Sequence, residues 1–152
     1  MTAEESVAWV GEQSQRWEAE TGAGWAVTDD DVVVGRVGLR TVHLDESSAE
    51  VAYWVLPRAR GRAIAPRVLT AVVGWMMDEV GFHRVTLHDA VANTPSCRVA
   101  ERASFALEGI AVQQMLHADG WHDMPRHWSS CAPRNAPPRT WCPGSARNVV
   151  TS

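Results

Sequence analysis

Apolar residues along this chain recur at helical spacing in two stretches and alternate with polar ones in several others. Thr2 and Glu5 form a capping-box pair, and Val7, Val10, Ser14 and Trp17 follow at steps of three and four. This predicts a helix over Glu4 to Glu20, stopped by Thr21-Gly22. Two strand-like runs come next, Trp25 to Thr28 and Val32 to Val42, joined by Asp29-Asp30-Asp31. That triplet reads as a solvated hairpin turn; a metal loop is the rival reading. Gly35 and Gly38 weaken the second run as a strand and point to a bulge or a close neighbour. In the third run, Glu50 to Leu56, Val51, Tyr53 and Val55 alternate with Ala52 and Trp54. Both faces are apolar, the mark of a central strand.

Pro57 stops that strand, and a basic loop, Arg58-Ala59-Arg60-Gly61-Arg62, leads into the clearest helix of the chain. Ile64, Val68, Val72, Trp75, Met76 and Val80 share one face, and Gly81 supplies the stop. A strand with Val85 and Leu87 follows. Asn93-Thr94-Pro95 is a helix start, and the short helix carrying Ser96, Val99 and Ala100 ends near Ser104. Phe105 to Leu116 and Trp121 to Trp128 read as a hairpin across Asp119-Gly120. Pro133, Pro137, Pro138 and Pro143 then forbid a helix or a central strand. The chain therefore divides into a folded domain over residues 1–132 and an extended or disordered tail over 133–152. The element order predicts an α/β (α+β) domain, a mixed sheet with helices packed on it.

Composition narrows the functional classes. The chain has 152 residues, 45% hydrophobic and 21% charged, enough for one ordinary domain. Its 14 basic residues are all Arg, against 18 acidic ones, for a net charge of −4. A phosphate-backbone binder needs a basic face, so nucleic acid is not an expected partner. No apolar run approaches the roughly 20 residues that span a bilayer, and the start of the chain is acidic rather than signal-like, so no membrane partner and a cytoplasmic location are expected. Three cysteines, none in a Cys-x-x-Cys pair, indicate neither a disulfide framework nor a zinc site.

Two places carry candidate chemistry. A strand, a Gly-containing turn and a helix N-terminus together present unpaired N–H groups and the positive end of a helix dipole. Arg58, Arg60 and Arg62 surround that spot, so a phosphate or pyrophosphate is the natural ligand; a merely solvated Arg loop is the alternative. It is neither a P-loop nor a dinucleotide fingerprint. About thirty residues on, Asn93 and Ser96 can point an amide and a hydroxyl to one side of a helix start, or can simply cap that helix.

Together these stretches resemble the GNAT superfamily of N-acetyltransferases, in particular its ribosomal-protein (RimJ/RimL-like) branch. Tyr53-Trp54-Val55-Leu56-Pro57 is similar to the branch's central strand. Arg60-Gly61-Arg62-Ala63-Ile64-Ala65 is similar to the acetyl-CoA signature Gln/Arg-x-x-Gly-x-Gly/Ala. Asn93-Thr94-Pro95-Ser96, Val99 to Phe105 and Leu107-Glu108-Gly109 resemble the Asn-x-x-Ser helix and the strand after it. Gly120-Trp121-His122-Asp123 resembles the turn into the last strand, so the likeness runs from Trp25 to His127.

The resemblance implies a GNAT fold and acetyl-CoA as donor, with direct attack of a primary amine on the thioester. The amine would belong to a protein N-terminus or a small molecule. It assigns the loop Arg60, Gly61, Arg62, Ala63, Ile64 and Ala65 to the pyrophosphate. The N–H groups of Trp54, Val55 and Leu56 would take the pantetheine arm and the developing oxyanion, and Asn93 would also hold the arm. Ser96 would protonate the leaving sulfur and Glu50 would serve as base, with His117 or a water as alternatives because Met115 stands where related enzymes place a Glu. Ala63 and Ser104 replace family glycines, and the chain begins at what resembles the family's second helix. A missing first strand would expose a sheet edge, to which a second copy could pair in a homodimer. A non-catalytic acyl-CoA-binding or interaction domain on the same fold is the rival. His117, His122 and His127 recur every five residues, but without a carboxylate set no metal is expected. Trp17, Trp25, Trp54 and Trp75 are expected in the core, and Trp121 and Trp128 beside the acceptor.

Overall fold

In a computed structural model, which describes residues 2–88 and 94–130, the elements follow the predicted order. They are α1 (Ala3–Glu18), β1 (Ala23–Asp29), β2 (Val32–His43), β3 (Ser48–Val55), α2 (Ile64–Trp75), β4 (Arg84–His88), α3 (Thr94–Arg102), β5 (Ala106–His117) and β6 (Gly120–Ser130). The tail expected over 133–152 and the candidate Asn93 lie outside the described residues.

Local chemistry accounts for the ends. The capping box forms at α1, with Thr2 accepting from the Glu5 N–H and Glu5 from the Thr2 N–H. Asp30 and Asp31, both at positive φ, make the two-residue turn between β1 and β2, the turn type whose twist matches a hairpin. Gly35 and Gly38 are close-approach positions: a Cβ on either would strike a neighbouring carbonyl oxygen, of Trp54 and Ala23 respectively. α2 runs on into a single π-helical turn over Met76–Val80, and Gly81, at φ 88°, ends it.

One six-stranded sheet results, in the order β1-β2-β3-β4-β6-β5. Every adjacent pair is antiparallel except β3 and β4. The core lies between the sheet face carrying Val37, Val51, Val85 and Leu87 and the buried stripe Val68, Leu69, Val72, Val73 and Met76 of α2 and its extension. Trp25 stands edge-on to both Trp17 and Trp75, at 6.2 and 5.6 Å between ring centres, and so joins α1, β1 and α2. Trp54 departs from expectation. It points from the opposite face and is 49% exposed, because α2 covers only one side of the strand.

The last strand runs through Pro125, as the reading of Trp121 to Trp128 requires. β6 passes through it to Ser130, and it lies just beyond the last β4 pair, His88 with Arg126. On that side no ladder N–H is lost, and the partner strand β5 has a register break close by, between Leu107 and Gly109.

Candidate functional site

The parallel pairing of β3 with β4 begins at Ser48–Arg84 and stops at Val51–Leu87, while β3 continues to Val55. Among the described residues the β3–β4 ladder does not continue past Val51–Leu87, and the β3 edge beyond it faces a gap. Which groups that edge offers follows from the other neighbour. The Leu56 N–H donates to the Val34 carbonyl at 2.8 Å on the β2 side. Backbone groups alternate in direction along a strand, so Trp54 faces β2 with Leu56, whereas Tyr53 and Val55 face the gap. This corrects the expectation for Leu56 and Trp54, whose N–H groups are turned towards β2.

The gap is a cleft of about 710 Å³. Tyr53, Trp54 and Val55 form its floor, the loop and first turn of α2 (Ala59 to Gly61 and Ala63 to Pro66) one wall, and α3, with Pro95, Ser96, Arg98, Val99 and Arg102, the other. Among the described residues its lining carries three guanidinium groups, of Arg60, Arg98 and Arg102, and no carboxylate. Volume and sign suit a large polyanionic ligand with a thin apolar arm.

The individual side chains sort as follows. Arg60 Nε donates to the Val55 carbonyl at 3.2 Å, which ties the basic loop to the cleft strand and leaves the Val55 N–H facing inward. Arg62 does not line the cleft; its guanidinium is paired with Asp29 at the β1–β2 turn. The pair is largely exposed, worth less than about 1 kcal/mol. Arg58 likewise reaches back to the Val33 carbonyl. Ala63, the residue before α2, has φ 55° and ψ 23°, a left-handed conformation that glycine adopts without cost. Ser104 also has positive φ, 64°, at the end of α3. Both residues thus hold a backbone conformation that favours glycine.

Ser96 is buried, and its Oγ lies 2.8 Å from Tyr53 Oη. Its burial follows from helix periodicity, since Ser96 and Ala100 share the inward face of α3, continued by Ala103 just past its end. Glu50 is set apart from this pair. It projects from the other face of β3, ion-paired with Arg40 at 3.3 Å, with His88 Nδ1 at 4.0 Å and Thr41 Oγ1 at 3.5 Å. At about 3.3 Å per residue it precedes Tyr53 by roughly 10 Å along the strand.

Tyr53, Arg98 and Arg102 were not singled out from sequence. The two arginines sit at i and i+4, a spacing that gives a helix one basic face, and that signal was present. Trp128 lies under Arg84, at 5.1 Å from the guanidinium carbon, and Trp121 is exposed beside the β5–β6 turn; neither lines the cleft. The His117 and His122 rings lie 4.6 Å apart, tilted by 59°. Hydrogen bonding to His122 holds the Asp119 carboxyl below the usual carboxylate range. Among the described residues no group of three or more His, Cys, Asp or Glu is placed to hold a metal, and no helix is long and apolar enough to cross a membrane.

Residues 1–106 match the model of the acetyltransferase (GNAT) domain. The chain belongs to the GNAT acetyltransferase domain family. YdaF of Bacillus subtilis, which carries the name of a ribosomal N-acetyltransferase, is 28% identical over 93 residues. That alignment covers 61% of this chain and 50% of YdaF, so the GNAT chain spans about half the length of the curated relative it matches. Among solved structures, the microcin self-immunity acetyltransferase MccE, in complex with acetyl-CoA and AMP, superposes with TM-score 0.83 at 17% identity. RimL, a ribosomal alpha-N-protein acetyltransferase in complex with coenzyme A, superposes with TM-score 0.82 at 19% identity. Each superposition covers 86% of this chain and 73% of the other. The mixed sheet with its helices is thus the GNAT fold.

Proposed function

We propose that this GNAT chain is an acetyl-CoA-dependent N-acetyltransferase that moves an acetyl group to a primary amine, of a protein N-terminus or a small molecule, by direct attack on the thioester. The observation that carries the reading is the cleft between β3 and β4, where a strand N–H, a helix N-terminus and a buried Ser hydroxyl converge. Bound there, acetyl-CoA supplies an activated acyl group on a good leaving thiol.

This chain's residues do the rest. The N-terminus of α2, with Gly61 and Ala63 to Ala65 around it and Arg60, Arg98 and Arg102 beside it, holds the phosphates by backbone N–H groups and charge. The Tyr53 and Val55 backbone edge aligns the pantetheine arm as an added strand would, and the Val55 N–H faces the carbonyl oxygen on which negative charge develops. Ser96 Oγ stands as proton donor to the departing sulfur. Glu50, ion-paired with Arg40, acts through water to take the proton of the incoming ammonium.

The second reading, an acyl-CoA-binding domain without turnover, draws on the left-handed Ala63, whose methyl group stands at the phosphate loop. Thiol release from acetyl-CoA, measured across a panel of peptide N-termini and small amines, separates the two. Turnover with any amine supports the enzyme, and tight acetyl-CoA binding without turnover supports the binding domain.

A further inference from the structure

One contact in the cleft lies outside both the phosphate site and the acceptor side. Tyr53 Oη on β3 and Ser96 Oγ on α3 meet at 2.8 Å, across 43 positions of sequence, and either atom can be the donor. The direction matters, because a Ser hydroxyl has one proton to give. If Ser96 donates to Tyr53, that proton is committed away from the thioester. If Tyr53 donates, the Ser96 oxygen is held as acceptor and its proton turns towards the cleft that both side chains line.

We propose that Tyr53 is the positioning residue of the leaving-group proton donor: its phenol donates to Ser96 Oγ and so aims the Ser96 proton at the thioester sulfur. The inference rests on the acetyltransferase reading and deepens it. As the amine nitrogen bonds to the acyl carbon, the carbon–sulfur bond breaks and its electron pair stays on sulfur. Sulfur takes the Ser96 proton, Ser96 takes the Tyr53 proton, and the half-buried phenol is reprotonated from solvent. The proton lost by the amine leaves on the Glu50 side, so the sum is amide plus free thiol.

Tyr53 is the single tyrosine of the chain, which permits a clean test. Tyr53→Phe is expected to lower kcat at least tenfold while the KM for acetyl-CoA stays within twofold. Adding it to Ser96→Ala should lower kcat no further than Ser96→Ala alone. Biosynthetic replacement of tyrosine by tetrafluorotyrosine covers the case in which Tyr53→Phe does not fold. Its phenol is ionised at neutral pH and can accept from Ser96 but not donate. Relative to the unlabelled enzyme at each pH, kcat should be low at neutral pH and recover in acid as the phenol regains its proton.

A Tyr53→Phe variant with unchanged kcat, a raised KM alone, or a fluorinated enzyme with no relative pH dependence would overturn the assignment. Wild-type protein that binds acetyl-CoA and releases no thiol with any amine would overturn the enzyme reading itself, and the role of Tyr53 with it.

Discussion

Replacing Ala63 by glycine tests the phosphate loop at its most unusual backbone position. Ala63 sits at φ 55° and ψ 23°, immediately before the first turn of α2. In that region the Cβ crowds the following carbonyl, which costs an L-residue about 1–2 kcal/mol. Glycine removes the cost but loses more freedom on folding, which offsets roughly 0.4–1 kcal/mol of the gain. The net expectation is a stabilisation of about 0.5–1 kcal/mol, or a rise in Tm of about 2–5 °C for a domain of this size. Urea unfolding is the assay, with the slope m expected to stay constant because the surface exposed on unfolding is the same. The same change clears a methyl group from the helix end that receives the phosphates. Acetyl-CoA should therefore bind more tightly, and each tenfold gain in Kd would correspond to about 1.4 kcal/mol. A variant destabilised by about 1 kcal/mol or more would refute the reasoning, because glycine destabilises only where the native backbone is one that alanine adopts freely.

Ser104, at φ 64° behind α3, obeys the same logic, and Ser104→Gly should raise stability by about 0.5–1 kcal/mol in the same urea assay. Gly35→Ala should do the reverse: the new Cβ meets the backbone carbonyl of Trp54, which cannot swing aside, so about 1–3 kcal/mol is lost. Because β3 must shift to relieve that clash, acetyl-CoA affinity should fall with stability in Gly35→Ala. Arg98→Ala with Arg102→Ala should weaken acetyl-CoA binding and flatten its salt dependence while hardly affecting a pantetheine thioester without the nucleotide. Equal loss with both ligands would remove the two arginines from the phosphate site.

The element order could be read from the chain because each element carries its own period and its own stop. The capping box at Thr2 and Glu5, the Asp30–Asp31 turn and Gly81 after the long helix are local signals, and each works through its nearest neighbours. What could not be read depends on partners far along the chain. The direction of the Leu56 N–H is fixed by pairing with Val34, and the Tyr53–Ser96 contact by two elements meeting across the cleft. Trp54 looked buried because a strand apolar on both faces implies cover on both, whereas here the opposite face is partly open. Arg62 looked like a phosphate ligand by position, but Asp29, brought near by the first hairpin, takes its guanidinium. The substitutions at Ala63 and Ser104 were visible in sequence, and the structure adds that both residues have positive φ.

The most direct measurement is unfolding of the full chain with and without acetyl-CoA, beside thiol release with an amine panel on the same sample. At 100 times the dissociation constant the ligand should add about 2.7 kcal/mol of stability, and at least one primary amine should drive thiol release. A cooperative transition that acetyl-CoA leaves unmoved at millimolar concentration would contradict the account.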